Sequence, residues 1–171
     1  HIYDQLDRVI ETDYLDTDGN LLKVLNGYAK VTFEYYGNTD RIHYERYFGA
    51  DDQRTMTTYG YSMAEYEYNG GDFDWRVTYY DTVDEYTMCL DGYARIDQLF
   101  RRLGNGSDIN RDGDLWKLFP ESVTRERYFG TNMELIAVKA GYAGIVHKYN
   151  DFGQLISTTY MGTNWKPIRE D

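Results

Sequence analysis

The feature that most constrains this chain is a glycine-tyrosine phrase that returns at fixed spacing. "GYA" or "GYS" begins at Gly27, Gly60, Gly92 and Gly141, and eight residues after each glycine stands an aromatic: Tyr35, Tyr68, Phe100 and Tyr149. A second tyrosine follows at Tyr47, Tyr79, Tyr128 and Tyr160. The separation from tyrosine to the next glycine is identical in every complete case: Tyr14 to Gly27, Tyr47 to Gly60, Tyr79 to Gly92 and Tyr128 to Gly141. Constant intervals in divergent sequence require a constant backbone path, the mark of a repeat architecture. The interval from the first aromatic to the second tyrosine agrees to within one position for Tyr35 to Tyr47, Tyr68 to Tyr79 and Tyr149 to Tyr160, but is far longer from Phe100 to Tyr128. The chain therefore reads as one repeat domain, 1–171. Its basic unit is about 32 residues long, a period of the kind that stacked repeat architectures use. A partial unit covers 1–26, and units follow at 27–59, 60–91, 92–140 and 141–171, the third holding an insertion within 101–127. Because it opens inside a unit, the chain is expected to be part of a longer one.

Each unit alternates with period two. In "GYAKVTFEY", Ala29, Val31, Phe33 and Tyr35 fall on one face, with Tyr28, Lys30, Thr32 and Glu34 on the other, the pattern of a half-buried strand. Turn residues follow ("GNTD", "NGGD", "NDFG"), then a second strand ("RIHYERYF", "WRVTYY", "LISTTYM"), which together read as a hairpin. A second turn leads to a short third strand before the next glycine. The expected fold is all-β: an array of stacked hairpin repeats, solenoid-like or an extended meander, with a closed barrel as the alternative. Such units bury their apolar faces against their neighbours. The recurring glycine marks a tight backbone approach or a positive φ.

Composition narrows the partners. Eighteen Lys+Arg against 29 Asp+Glu give a formal charge of -11, which repels a phosphate backbone, so nucleic acid is excluded as an expected partner. Aromatic residues make up 17% of the chain, far from the composition of a disordered segment. No apolar run approaches the roughly 20 residues a membrane-spanning helix needs, so no membrane insertion is expected. One cysteine, Cys89, rules out an internal disulfide framework.

The pattern in "YDQLDRVIETDYLDTDGN" and "YNDFGQLISTTYMG" resembles the tyrosine-rich GYA/YD repeats of large bacterial surface or secreted proteins, and more distantly the tyrosine-aspartate repeats of RHS-type proteins. The resemblance covers the chain apart from the insertion. It implies scaffolding, binding or display at the cell surface or outside the cell, and it brings no catalytic residues.

Two constellations are candidate sites. In the insertion, "SDINRDGDLW" alternates Asp108, Asn110, Asp112 and Asp114 around Gly113. Oxygen ligands at positions 1, 3 and 5 with glycine at 6 suit a Ca²⁺ loop, although position 12 is Phe119 instead of a bidentate glutamate. A solvated Asp/Asn/Gly turn accounts for the same residues. The second constellation is Tyr28, Tyr61, Tyr93 and Tyr142, equivalent positions that stacking turns into an aromatic ladder able to lie against sugar rings. Cross-strand aromatic packing is the competing reading. Trp116, beside the acidic loop, joins the ligand-binding candidates.

The expectation is a non-catalytic repeat module of a bacterial envelope or secreted protein, a spacer with adhesive or glycan-binding capacity, whose partners are polysaccharide or a surface protein. The alternatives are a glycan hydrolase with its active site around 101–127, and a β-module that binds partner proteins through strand edges.

Overall fold

The structure, a computed structural model, describes residues 1–70, 73–100, 123–150 and 152–170. Its regular elements are all strands: β1 (Ile2–Tyr3), β2 (Val9–Asp13), β3 (Lys30–Tyr35), β4 (Ile42–Phe48), β5 (Met63–Tyr68), β6 (Trp75–Tyr80), β7 (Arg95–Phe100), β8 (Val123–Phe129), β9 (Gly144–Tyr149), β10 (Leu155–Met161) and β11 (Pro167–Glu170). The chain is all-β, as expected. The strands follow one another in sequence order from β1 to β11, and the pairs β3–β4, β4–β5, β7–β8, β8–β9 and β9–β10 are antiparallel. This is the meander order of the expectation; among the described residues no pairing joins β1 to β11, as the alternative of a closed barrel requires. Among the described residues no helix is long and apolar enough to cross a membrane.

The hairpins stand where period-two alternation placed them. The short third strand does not. After β2, β4, β6 and β8 the returning segment makes one isolated bridge, Leu15↔Leu21, Phe48↔Arg54, Tyr80↔Tyr86 and Phe129↔Leu135, and a strand forms only at β11. The turn itself does not decide this: Gly49 N–H bonds to the Gln53 carbonyl and Asp52 N–H back to Gly49, and the same two bonds, Gly162 N–H to Lys166 and Trp165 N–H to Gly162, precede β11.

Two compact units are present, 1–66 with 77–90, and 67–76 with 91–171. In the first, Val31 pairs with Tyr47 and Phe33 with Glu45. Ala29, Val31, Tyr47, Ala64 and Val77 are buried. Successive connections run side by side, Thr58 N–H donating to the Asn26 carbonyl at 2.9 Å and Leu90 N–H to that of Tyr59 at 2.7 Å. Small residues are needed where they meet. At Gly60, φ is +87°, and a Cβ there would lie 2.8 Å from the Met88 carbonyl oxygen.

In the second unit, Ala94, Ile96, Phe129, Ala143 and Met161 form the apolar core, and among them sits a carboxylate, Asp97, 2% exposed. Arg76 grips it through Nε at 2.6 Å and a terminal nitrogen at 3.0 Å, Arg127 donates at 3.0 Å, and Arg95 Nε lies 3.2 Å away. The Arg76 and Arg95 guanidinium groups each lie 3.8 Å from a ring centroid, of Phe73 and Phe129 respectively. A buried anion demands such pairing.

Candidate functional site

The described residues of the second unit enclose a cleft of about 430 Å³. It is built from two connections and one strand. Tyr93 and Tyr142 each follow a glycine of positive φ, +90° at Gly92 and +89° at Gly141. A bend at the next residue, Ala94 or Ala143, separates the tyrosine from the alternation of the coming strand. Ala94 and Ala143 then start the pairing, their N–H groups donating to the Phe129 and Met161 carbonyls at 2.8 and 2.7 Å. Tyr128, on β8, stands between the two tyrosines, its ring centroid 5.1 Å from that of Tyr93 and 6.1 Å from that of Tyr142. Tyr160 continues the row, 4.9 Å from Tyr142. Tyr128 is buried and its two flanking rings are half-buried.

Glu126, two residues before Tyr128 and so on the same face of β8, completes the cleft. The Tyr128 hydroxyl donates to one carboxylate oxygen, and the Gln98 amide donates to the other at 2.8 Å. Burial, reinforced by the Glu126 charge, pushes the Tyr128 phenol far above its ordinary value. It therefore stays a neutral donor. Ile96 and Val138 supply apolar wall, and Asp91, Lys139 and Ala140 form an exposed lip. The lip is fixed by a tight turn, in which Val138 N–H bonds to the Tyr142 carbonyl and Gly141 N–H to that of Val138. Aromatic faces, two carboxylates and one ammonium give a surface suited to stacking and hydrogen bonding.

Of the sequence-predicted tyrosines, Tyr93 and Tyr142 share this cleft. Tyr28 and Tyr61 lie in the first unit, in a matching row: Tyr14, Tyr28, Tyr47, Tyr61 and Tyr79 follow one another at centroid distances of 5.7, 4.7, 5.9 and 4.5 Å. The candidates thus do not stack directly on one another. A strand tyrosine, Tyr47 or Tyr128, separates each pair. Strict alternation also assigns them the wrong face: Tyr28 packs on Tyr47, which pairs with Val31, so its ring lies on the Val31 side. The bend at Ala29, between Tyr28 and the first residue of β3, is the reason, since period two holds only along extended backbone. Trp116 and the proposed Ca²⁺ ligands Asp108, Asn110, Asp112 and Asp114 lie outside the described residues.

Tyr47 and Tyr128 stand in the sequence only as repeat landmarks, and Glu45 and Glu126 are not marked there as site residues, although a signal was present. "ERYFG" occurs twice, at 45–49 and 126–130. In the first copy, Glu45 accepts from Tyr47 at 2.5 Å and from Tyr66 at 2.8 Å. In the second, Gln98 stands six residues after its glycine, as Tyr66 does after Gly60, and serves as the second donor. No protein-family model matches this chain, and neither a curated protein nor a solved structure matches it.

Proposed function

We propose that the protein is a non-catalytic module of repeated hairpin units from a bacterial envelope or secreted protein, and that it binds glycan in the cleft of the second unit. The observation that carries this reading is the row of three tyrosines with a carboxylate at one opening. Rings with an apolar face and a polar tip suit a ligand that is both apolar on its face and hydroxylated at its edge. The carboxylates accept sugar hydroxyl hydrogen bonds.

Several local regularities support the repeat read from the glycine-tyrosine spacing. Gly27, Gly60, Gly92 and Gly141 all have φ between +87° and +93°. Five residues after Tyr14, Tyr47, Tyr79, Tyr128 and Tyr160 stand Gly19, Asp52, Asp84, Met133 and Trp165, each with positive φ. The resemblance to tyrosine-rich bacterial repeats and the acidic composition support an extracellular or surface location. Bound Ca²⁺ at Asp108, Asn110, Asp112 and Asp114 belongs to the same proposal and rests on their spacing alone.

A glycan array, followed by calorimetry against cell-wall and host polysaccharides, tests the binding. A ligand should emerge whose affinity drops at least about tenfold in Tyr93→Ala and in Tyr142→Ala, the loss expected for one stacked aromatic face. Silence on the array and in the calorimeter would leave a spacer without a ligand.

A further inference from the structure

The cleft contains a carboxylate without a counter-charge. Both oxygens of Glu126 are held by uncharged donors, the Tyr128 hydroxyl and the Gln98 amide, and among the described residues no cationic side chain forms an ion pair with it. Asp97, on the neighbouring strand β7, shows the contrast. It is more deeply buried and is surrounded by three arginines. Desolvating an anion is costly unless a positive group reaches it. Glu126 therefore presents a partly desolvated negative charge to a cavity, beside tyrosine rings whose faces are themselves negative.

The remaining charges at the cleft do not cancel this. Asp91 adds a second carboxylate at the lip, and Lys139, the one basic residue among the described residues of the lining, is exposed there, where salt screens it. The chain as a whole carries -11. Uronic acids and phosphate-bearing polymers meet repulsion in such a site. A neutral sugar can stack on the rings but leaves Glu126 uncompensated. A ligand with an ammonium group gains twice, from the carboxylate and from cation–π attraction to the rings.

Resting on the glycan-binding reading, we propose that the cleft is selective for a cationic sugar, one carrying a free amine, through Glu126 and the tyrosines Tyr93, Tyr128 and Tyr142. The donors on Glu126 fix the carboxylate before the ligand arrives. Gln98 and Tyr128 are thus positioning residues, and Glu126 makes the charged contact.

The test is calorimetry on the full chain with two probes of equal length, a fully deacetylated chitosan oligomer and its N-acetylated counterpart. The deacetylated oligomer should bind about tenfold or more tightly, the gain expected when an ammonium meets a carboxylate and aromatic faces out of bulk water. Glu126→Gln should bring the two affinities close to equality. Asp18→Asn, which removes one exposed charge in the other unit, should leave the ratio unchanged. If Glu126→Gln does not fold, Glu126→Asp, which withdraws the carboxylate by one methylene and keeps its charge, must lower the ratio severalfold. Equal binding of the two probes by the native chain overturns the charge selectivity while the glycan reading stands. An equal fall of the ratio in Asp18→Asn and Glu126→Gln overturns it as well, by assigning the preference to net charge. If neither probe binds, the selectivity is refuted; the glycan reading falls with it only if the array is also blank.

Discussion

At the scale of single residues, glycine does two separable things. Gly141, with φ +89°, has nothing within 4 Å of where a Cβ would stand, whereas the same atom on Gly60 would lie 2.8 Å from the Met88 carbonyl oxygen. Gly141→Ala should therefore cost only backbone strain, about 1–2 kcal/mol. Gly60→Ala should cost that and about 1–3 kcal/mol more, because the neighbouring connection must move. Urea denaturation of the two variants separates the terms, and equal losses would mean that the close approach at Gly60 is relieved without cost. The glycines were legible in the sequence because only one residue type meets the requirement cheaply. The companion positions were not. Gly19, Asp52, Asp84, Met133 and Trp165 share a positive φ but no chemistry, since the turn around each imposes the conformation whatever the side chain. The same limit hid the side on which Tyr28 lies, because alternation carries no record of the bend at Ala29.

At the scale of elements, one position on the strand after two of the four repeat glycines, Gly60 and Gly92, acts as a fastener between neighbours. Glu65, five residues after Gly60, accepts from Tyr44 on β4 at 2.8 Å and from Tyr80 on β6 at 2.5 Å. Asp97, five after Gly92, is met instead by Arg76 from β6 and Arg127 from β8. A carboxylate clamps three strands in both cases, with phenols in one unit and guanidinium groups in the other. The strands themselves were legible from alternation. The clamp was not, because Arg76, Arg95 and Arg127 are far apart in sequence and become partners only once β6, β7 and β8 are placed side by side. Asp97→Asn retains the shape but removes the charge that holds three partly buried cations. A loss of about 3–5 kcal/mol is expected, as for breaking a buried ion pair. Chemical denaturation checks it, and a loss below about 1 kcal/mol would show that the arginines reach solvent and act as surface pairs.

At the scale of the whole molecule, 19 tyrosines in a chain of charge -11 make alkaline pH the condition of greatest vulnerability. Burial, and then the Glu65 hydrogen bond and charge, push Tyr44 up to about 12; burial, and then the Glu45 charge, push Tyr61 up to about 12. Tyr47 and Tyr66 are raised further still, by burial and then by the charge of Glu45, which also accepts their hydroxyls. The unfolded value is about 10. Between these values the native state retains protons that the unfolded state has released, so stability falls as pH rises. This contribution is fully present below about pH 10 and is lost as pH climbs through about 12. Each tyrosinate formed also adds to a negative charge that already opposes compaction. The urea midpoint should decline steadily from about pH 10 to about pH 12. The tyrosinate absorbance that is present in the native chain and missing from Tyr47→Phe should appear together with the loss of near-ultraviolet circular dichroism, because the buried phenols ionise only when the rows come apart. If the absorbance instead rose at ordinary tyrosine pH with the dichroism intact, the phenols would be titrating in place. The donation of Tyr47, Tyr66 and Tyr128 to Glu45 and Glu126 would then not be what keeps them neutral.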